Sequence, residues 1–281
     1  MALTLITDHP AWMDGPHGTR VRLVAYQGSP WLAVCSPAQA LTLRLVGAEG
    51  DGQSPPVLSV APSILPASRT AATLVQCLAS LGTVQRLTNP SLWDAITTAI
   101  LRQVVRADQA RRVYRSWCQV HGPAVPAESS VLPPCPDPET VLSLCDRQFT
   151  EANTTFHRTA LRAAAAAYRA RHHTWEQLSP DDLVKALQEV PRIGPWTAAA
   201  AAADYTGDFA VYPHGDLAVR TWARRADPDH SFPDGEHAFS AYWRRLANED
   251  RTALHALTLF TLTWGSHVRT ARPGDISYPP A

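Results

Sequence analysis

Between residues 187 and 198 the chain reads Leu-Gln-Glu-Val-Pro-Arg-Ile-Gly-Pro-Trp-Thr-Ala, and this run constrains the fold more than any other. Pro191 breaks a helix interior, because its ring removes an amide donor and clashes with the preceding turn. Pro195 reads differently: at the first position of a helix its missing N–H costs nothing. With Gly194 between them, the pattern predicts one helix ending near Glu189, a tight turn, and a second helix beginning at Pro195. The amides at that second start point outward from the positive end of the helix dipole. The turn can therefore hold an anion such as a phosphate through main-chain groups alone. An ordinary corner between two packed helices has the same local logic.

Around this turn the chain changes character once. Residues 20–27 (RVRLVAYQ), 31–35 (WLAVC) and 41–46 (LTLRLV) are short, rich in β-branched and aromatic residues, and separated by Gly-Ser-Pro and Ser-Pro signals. They predict a small antiparallel sheet. Residues 47–67 hold four prolines and three glycines and read as a connector. Beyond it the apolar spacing is helical, over 69–81, 91–104, 107–120, 138–146, 155–171, 179–189, 195–205, 216–226, 234–247 and 250–264. In 91–104, for example, Leu92, Trp93, Ala95, Ile96, Ile100 and Leu101 form one stripe behind the cap signal Asn89-Pro90-Ser91. Residues 122–138 form a proline-rich loop. The expected class is α+β, mostly α: a small β-rich N-terminal domain over 1–65, then a helical body over 66–281 with the hairpin at 188–196.

The charge balance narrows the function classes. Twenty-five basic residues meet 25 acidic ones, so no net field draws the chain to a polyanion. Residues 86–115, however, carry six arginines against Asp94 and Asp108, so a balanced total can conceal a basic face. Few phosphate contacts should give modest non-specific affinity and a shallow salt dependence. Lys185 is the sole lysine, which excludes chemistry needing several. The five cysteines (Cys35, Cys77, Cys118, Cys135, Cys145) never form CxxC, which argues against a zinc ribbon or disulfide framework and suits a reducing cytosol. The opening MALTLITDHPAWMDG lacks a signal-peptide pattern, and no apolar run is long enough to span a membrane. The expectation is a cytoplasmic protein with no membrane partner.

Twenty residues after Trp196 comes Asp216, in Tyr212-Pro213-His214-Gly215-Asp216-Leu217-Ala218-Val219-Arg220. Alone, an aspartate opening an amphipathic helix is an N-cap. Paired with an anion-gripping turn at this interval, it becomes a candidate catalytic carboxylate at a helix mouth, where the dipole favours the ionised form.

On these residues the sequence resembles the helix-hairpin-helix DNA glycosylases, in particular the AlkA-like 3-methyladenine DNA glycosylase II group. The family hairpin, roughly L-P-G-I-G-x-W-T-A, is matched by Val190-Pro191-Arg192-Ile193-Gly194-Pro195-Trp196-Thr197-Ala198, with Arg192 in place of the first glycine. The family's D-x-x-[LIV]-[RK] falls on Asp216, Val219 and Arg220. Ala99-Ile100-Leu101-Arg102-Gln103-Val104-Val105-Arg106 resembles A-I-L-G-Q-Q-V-S, and Pro134–Glu139 and Arg251-Thr252-Ala253-Leu254 give looser matches. The resemblance covers about residues 85–265, and it implies a two-lobed helical body behind the β-rich segment.

The resemblance also implies a monofunctional DNA glycosylase of base excision repair, which flips out a damaged base, an alkylated purine, and hydrolyses its N-glycosidic bond. Its partner would be double-stranded DNA containing the damaged base, and the enzyme a monomer. Asp216 would be the catalytic carboxylate, and Trp196, Ala200, Leu259 and Phe260 would line the base pocket. Gln103 and Val104 would enter the gap left by the base, with Arg192, Ile193, Gly194 and Thr197 on the phosphate and Arg106, Arg111, Arg112 and Arg115 facing the backbone. Main-chain carbonyls of Gln188, Val190 and Ile193 would hold a monovalent cation. Trp196 stands where strand-cleaving relatives carry a lysine, and no cysteine follows Cys145, so neither lyase chemistry nor a C-terminal iron–sulfur cluster is expected. Two alternatives stay open: a catalytically silent helix-hairpin-helix module that binds or senses damaged DNA, and a glycosylase for another modified base.

Overall fold

The computed structural model describes residues 2–47, 53–124 and 131–270, with side chains as far as residue 267. Its strands are β1 (Leu3–Ile6), β2 (Met13–Asp14), β3 (Arg20–Tyr26), β4 (Ser29–Cys35), β5 (Leu41–Leu45), β6 (Val57–Val60) and β7 (Thr83–Leu87). The first six helices are α1 (Ala72–Ala79), α2 (Leu92–Leu101), α3 (Ala107–His121), α4 (Pro138–Ser143), α5 (Asp146–Glu151) and α6 (Arg158–Trp175). They are followed by α7 (Pro180–Gln188), α8 (Pro195–Thr206), α9 (Leu217–Ala226), α10 (Glu236–Leu246) and α11 (Arg251–Thr270). None of the described helices is long and apolar enough to cross a membrane.

The chain forms two compact units, each assembled from separated stretches. One comprises Met1–Asp8, Leu58–Arg86 and Pro213–Ala281; the other comprises His9–Val57 and Leu87–Tyr212. Residues 1–65 are thus shared between the units rather than set apart as the expected N-terminal domain. The reason is a parallel pairing that no local pattern announces: β1 runs beside β7, with Leu3 opposite Thr83 and Ile6 opposite Arg86. Gly82 makes it possible. Its φ is +67°, and a Cβ there would lie 2.1 Å from the Ala2 carbonyl oxygen, so only glycine lets the chain pass. The Thr4 hydroxyl donates to the Leu81 carbonyl beside it (2.8 Å).

In the first unit β7 is the central strand of a three-stranded sheet ordered β1-β7-β6. Helices α1, α9 and α11 pack together, and α9 and α11 touch closely enough that a Cβ on Gly265 would sit 2.2 Å from the Trp222 indole. The core is aromatic: Phe239 stacks on Trp243 at 5.2 Å, and the Trp243 indole N–H donates to Thr258 Oγ1 at 3.1 Å.

In the second unit β3–β5 form the expected antiparallel meander, with Val21 opposite Val34 and Val34 opposite Thr42, and the short β2, which was not expected, extends it beside β3. The β3–β4 turn is Gln27-Gly28, both at positive φ, the conformation that matches the twist of a tight hairpin. Asp94, in the first turn of α2, ties this sheet to the helices. Its carboxylate accepts from Tyr114 (2.7 Å), Asn89 (3.2 Å) and Arg22 (3.4 Å) and lies 3.4 Å from His9 Nε2. Burial alone would raise the carboxyl's pKa, but His9, Arg22 and the Tyr114 hydroxyl outweigh it and hold it below the usual range. Helix α8 runs through this unit with Thr197 and Ala198–Ala203 all buried, packed against α2 and α7. Asn89 fixes its far end through its amide to Asp204 Oδ2 (2.8 Å).

Candidate functional site

The hairpin between α7 and α8 forms as the prolines and glycine require. Val190 and Ile193 are buried (2% and 4% exposed), and the Ile193 amide donates to the Val190 carbonyl at 3.1 Å, closing the turn. The left-handed position falls on Arg192, φ +72°, at an exposed tip. For a residue with a Cβ this costs roughly 1–2 kcal/mol. Gly194 instead has ordinary extended backbone (φ −82°, ψ 176°) and caps α8 without a side-chain bond. Apart from its two chain neighbours, no atom of the described residues lies within 4 Å of where its Cβ would be. The chain's own packing does not call for a glycine there, and the bare backbone leaves the helix mouth open to approach from outside. With Pro195 first in α8, the amides of Trp196 and Thr197 follow at the positive end of the dipole.

A second turn meets this one. Helix α2 ends at Leu101, three residues before the expected 104, and Gln103 reaches across to the hairpin. Its side-chain nitrogen donates to the Arg192 carbonyl (3.1 Å) and to Thr197 Oγ1 (2.8 Å). Next, Val104 has φ +59° and is 89% exposed. A β-branched residue in the left-handed region is a conformational outlier worth about 1–3 kcal/mol of strain, and such outliers cluster at functional sites. Behind the turn lies His157, 3% exposed. Burial pulls its pKa below the ordinary value, an effect the backbone of Gln103 partly offsets.

Among the other predicted residues of this unit, Trp196 is half-buried, with the Arg102 guanidinium 5.6 Å from its ring centroid, a cation–π contact. Ala200 is buried within α8. Gln188 donates its side-chain amide to the Val184 carbonyl at 3.1 Å. Arg115 does not face outward as expected: it turns inward and donates to the carbonyls of Pro10 and Trp12. Lys185 lies on the exposed face of α7 and pairs with Asp182 at 2.9 Å. The hydrogen bond to that carboxylate raises its pKa.

Asp216 belongs to the other unit. It is half-exposed at the N-cap of α9, yet its side chain makes no capping bond to the helix. Two neighbours fix its backbone. A Cβ on Gly215 would meet Glu236 Cγ at 2.5 Å and Ser240 Oγ at 2.7 Å, so the loop is pressed onto α10. Arg220 donates to the carbonyls of Gly215 (2.9 Å) and Asp234 (3.1 Å), which fixes the peptide ahead of Asp216. Leu259 and Phe260, both 0% exposed, sit in the core face of α11.

The structure therefore brings Gln103, Arg192 and Thr197 into one hydrogen-bonded cluster, with Val104 beside it. The resemblance puts Gln103 in the DNA gap, whereas its bonds to Arg192, 89 residues away, and to Thr197 arise only in the folded chain and have no local sequence signal. The latch at Arg220 falls on the [RK] of the aspartate motif, so that signal was in view without its role.

No protein-family model matches the sequence, and no curated protein matches it significantly. Solved structures do. MBOgg1 in complex with a low-affinity DNA ligand superposes with a TM-score of 0.70 at 11% identity, covering 94% of this chain and 90% of that one. The 3-methyladenine DNA glycosylase of Archaeoglobus fulgidus gives 0.67 at 16% identity, over 94% and 92%. The 8-oxoguanine glycosylase/lyase of Clostridium acetobutylicum gives 0.66 at 9% identity, over 92% and 89%. Across nearly its whole length, the chain has the fold of the helix-hairpin-helix DNA glycosylases.

Proposed function

We propose that the protein is a monofunctional DNA glycosylase that removes a damaged base, an alkylated purine, from double-stranded DNA. The observation that carries this reading is the paired turn of the second unit. An open helix mouth at Gly194 stands beside a strained, 89% exposed Val104. The first suits a backbone phosphate; the second suits the gap left when a base is turned out of the stack. Turning it out costs a few kcal/mol and is least costly for damaged or mispaired bases. An apolar side chain projecting into the vacated space offsets part of that cost.

Breaking the C1′–N bond develops positive charge on the sugar, and a fixed carboxylate is worth most in that transition state. Asp216 supplies it and orients the attacking water. Trp196 offers the flipped base an aromatic face. Cleaving the strand as well would take an amine nucleophile in its neutral form, and the pairing with Asp182 raises the pKa of Lys185, which works against that role. We further propose, from the resemblance, that the hairpin carbonyls of Gln188, Val190 and Ile193 hold a monovalent cation. Such an ion would add positive charge near the phosphate.

Base release from methylated duplex by wild type and Asp216→Asn tests the assignment. Release should fall by about 10³-fold in the variant. Thermal stability should hold, because the Asp216 side chain makes no capping bond to α9 for the substitution to remove. Equal release by both proteins refutes the role of Asp216, and release by neither makes the protein a DNA-binding module. Borohydride should trap no covalent adduct.

A further inference from the structure

We propose that Gln103 is a positioning residue that locks the phosphate-gripping turn to the wedge at Val104, so that seating a phosphate and presenting the wedge are one event. The proposal rests on the glycosylase reading for its substrate and on the geometry of the second unit for its substance. Arg192's carbonyl can only accept, so the Gln103 group facing it at 3.1 Å is the amide nitrogen. That nitrogen has two hydrogens, and the second goes to Thr197 Oγ1 at 2.8 Å. Both donors are spent inside the protein, so Gln103 cannot donate to a base while the lock holds.

The two atoms it grips are the ones that set the hairpin's shape. Arg192 holds the left-handed residue of the turn, and Thr197, 3% exposed, lies in the first turn of α8. On its other side Gln103 is joined by one peptide to Val104, whose left-handed backbone and 89% exposure no helix or sheet hydrogen bond supports. His157 is buried close to the backbone of Gln103. A strained exposed residue persists only where its surroundings over-determine it. Here the holding contact is the Gln103 amide.

The test uses the full chain and two duplexes carrying one methylated purine, either normally paired or opposite an abasic site, with 2-aminopurine as the neighbouring base. Gln103→Ala should release the paired lesion about tenfold more slowly than wild type, the effect of two neutral hydrogen bonds lost from a geometry that matters. Opposite an abasic site, where the stack is already open, the deficit should shrink to about twofold. Gln103→Glu keeps the length but offers the Arg192 carbonyl an acceptor, and should behave like alanine; Thr197→Val should fall between. Equal deficits on both duplexes, or release unchanged, overturn the lock. If Gln103→Ala unfolds, Gln103→Glu and Thr197→Val carry the same comparison. If wild type releases no base, the glycosylase reading fails separately, and 2-aminopurine emission in the bound duplex still decides: lower emission in the variant supports the lock, and equal emission refutes it.

Discussion

The turn at Gln103–Val104 and the loop at Pro213–Asp216 each present a residue that the proposed reaction needs, and their backbones are held in opposite ways. The first turn is exposed and strained: Val104 and, across the Gln103 bonds, Arg192 both occupy left-handed backbone without being glycine. The second is unstrained and wedged. No residue from Pro213 to Asp216 has positive φ, Gly215 is pressed onto α10, and Arg220 latches its carbonyl. The contrast fits two tasks. A wedge meets DNA from outside and must project, so side chains behind it hold a conformation the backbone resists. A catalytic carboxylate must sit within about 0.5 Å of its productive place, which packing secures better than strain. Substitutions at the loop residues themselves, Val104 and Arg192 in one and Gly215 in the other, should therefore change stability with opposite sign.

The largest effect should come from the support beneath the strained turn. Helix α2 carries that turn at its C-terminus and Asp94 at its N-terminus. Asp94→Asn leaves Arg22, 1% exposed, without its anionic partner, at a cost of about 3 kcal/mol. Because Asp94's pKa is lowered on folding, its contribution is fully present above the unfolded carboxyl pKa of about 3.9 and is lost as pH falls through the lower folded value. Urea midpoints between pH 7 and the acid limb should show wild type losing this advantage and Asp94→Asn flat over the same window. A variant as acid-sensitive as wild type would detach Asp94 from the stability of α2.

Next comes the wedged loop. Gly215→Ala forces a methyl into Glu236 and Ser240 and should cost about 2 kcal/mol, with base release falling alongside as Asp216 is displaced. Chemical denaturation and single-turnover release measure the two. A neutral Gly215→Ala would mean the loop is as compliant as an ordinary surface turn, and the contrast between the regions would collapse.

These two regions also differ in how far the sequence discloses them. Helices α2 and α8 follow from apolar spacing, Ser91, Pro195 and Gly194, because helix signals are local. The strands β3–β5 follow from short β-branched and aromatic runs between turn signals, for the same reason. Strands β1 and β7 do not: they have four and five residues and pair in parallel across some 80 positions, so nothing nearby marks them. Within the site, the hairpin was legible because proline and glycine punctuate the chain. The strained backbone of Arg192 was legible too, since it replaces a glycine of the family pattern. That Val104 would share it was not, because valine is among the residues least suited to left-handed backbone. Nor was the reach of Gln103 to Arg192 and Thr197, which only the folded α2–α8 contact creates. Leu259 and Phe260 show the converse: position along the motif cannot tell a pocket wall from the core face of α11.

Relief of strain should give smaller effects of the other sign. Val104→Gly removes the Cβ from a left-handed backbone and should raise stability by about 1 kcal/mol, provided the turn stays formed, while base release from paired duplex falls. Thermal unfolding beside 2-aminopurine emission separates the gain from the loss. A destabilised Val104→Gly would show that the side chain packs on something and is no wedge.

Arg192→Gly should have the smallest effect and distinguishes two accounts of the hairpin. The family glycine takes the left-handed position without penalty, so the substitution should stabilise the protein by up to about 1 kcal/mol. If that were all Arg192 did, the natural residue would be unexplained. Its side chain is exposed at the tip of the turn proposed to hold a phosphate, where a cation would add to a grip otherwise made by backbone dipoles. Losing it should weaken undamaged-duplex binding severalfold and reduce the slope of log affinity against log salt by about one, the signature of one phosphate contact. The chain carries equal numbers of acidic and basic residues, so that slope starts shallow and the loss of one contact should be visible in it. A gain in stability with an unchanged slope would mean that the arginine points away from DNA and that the strain at this turn serves only to shape the backbone that Gln103 holds.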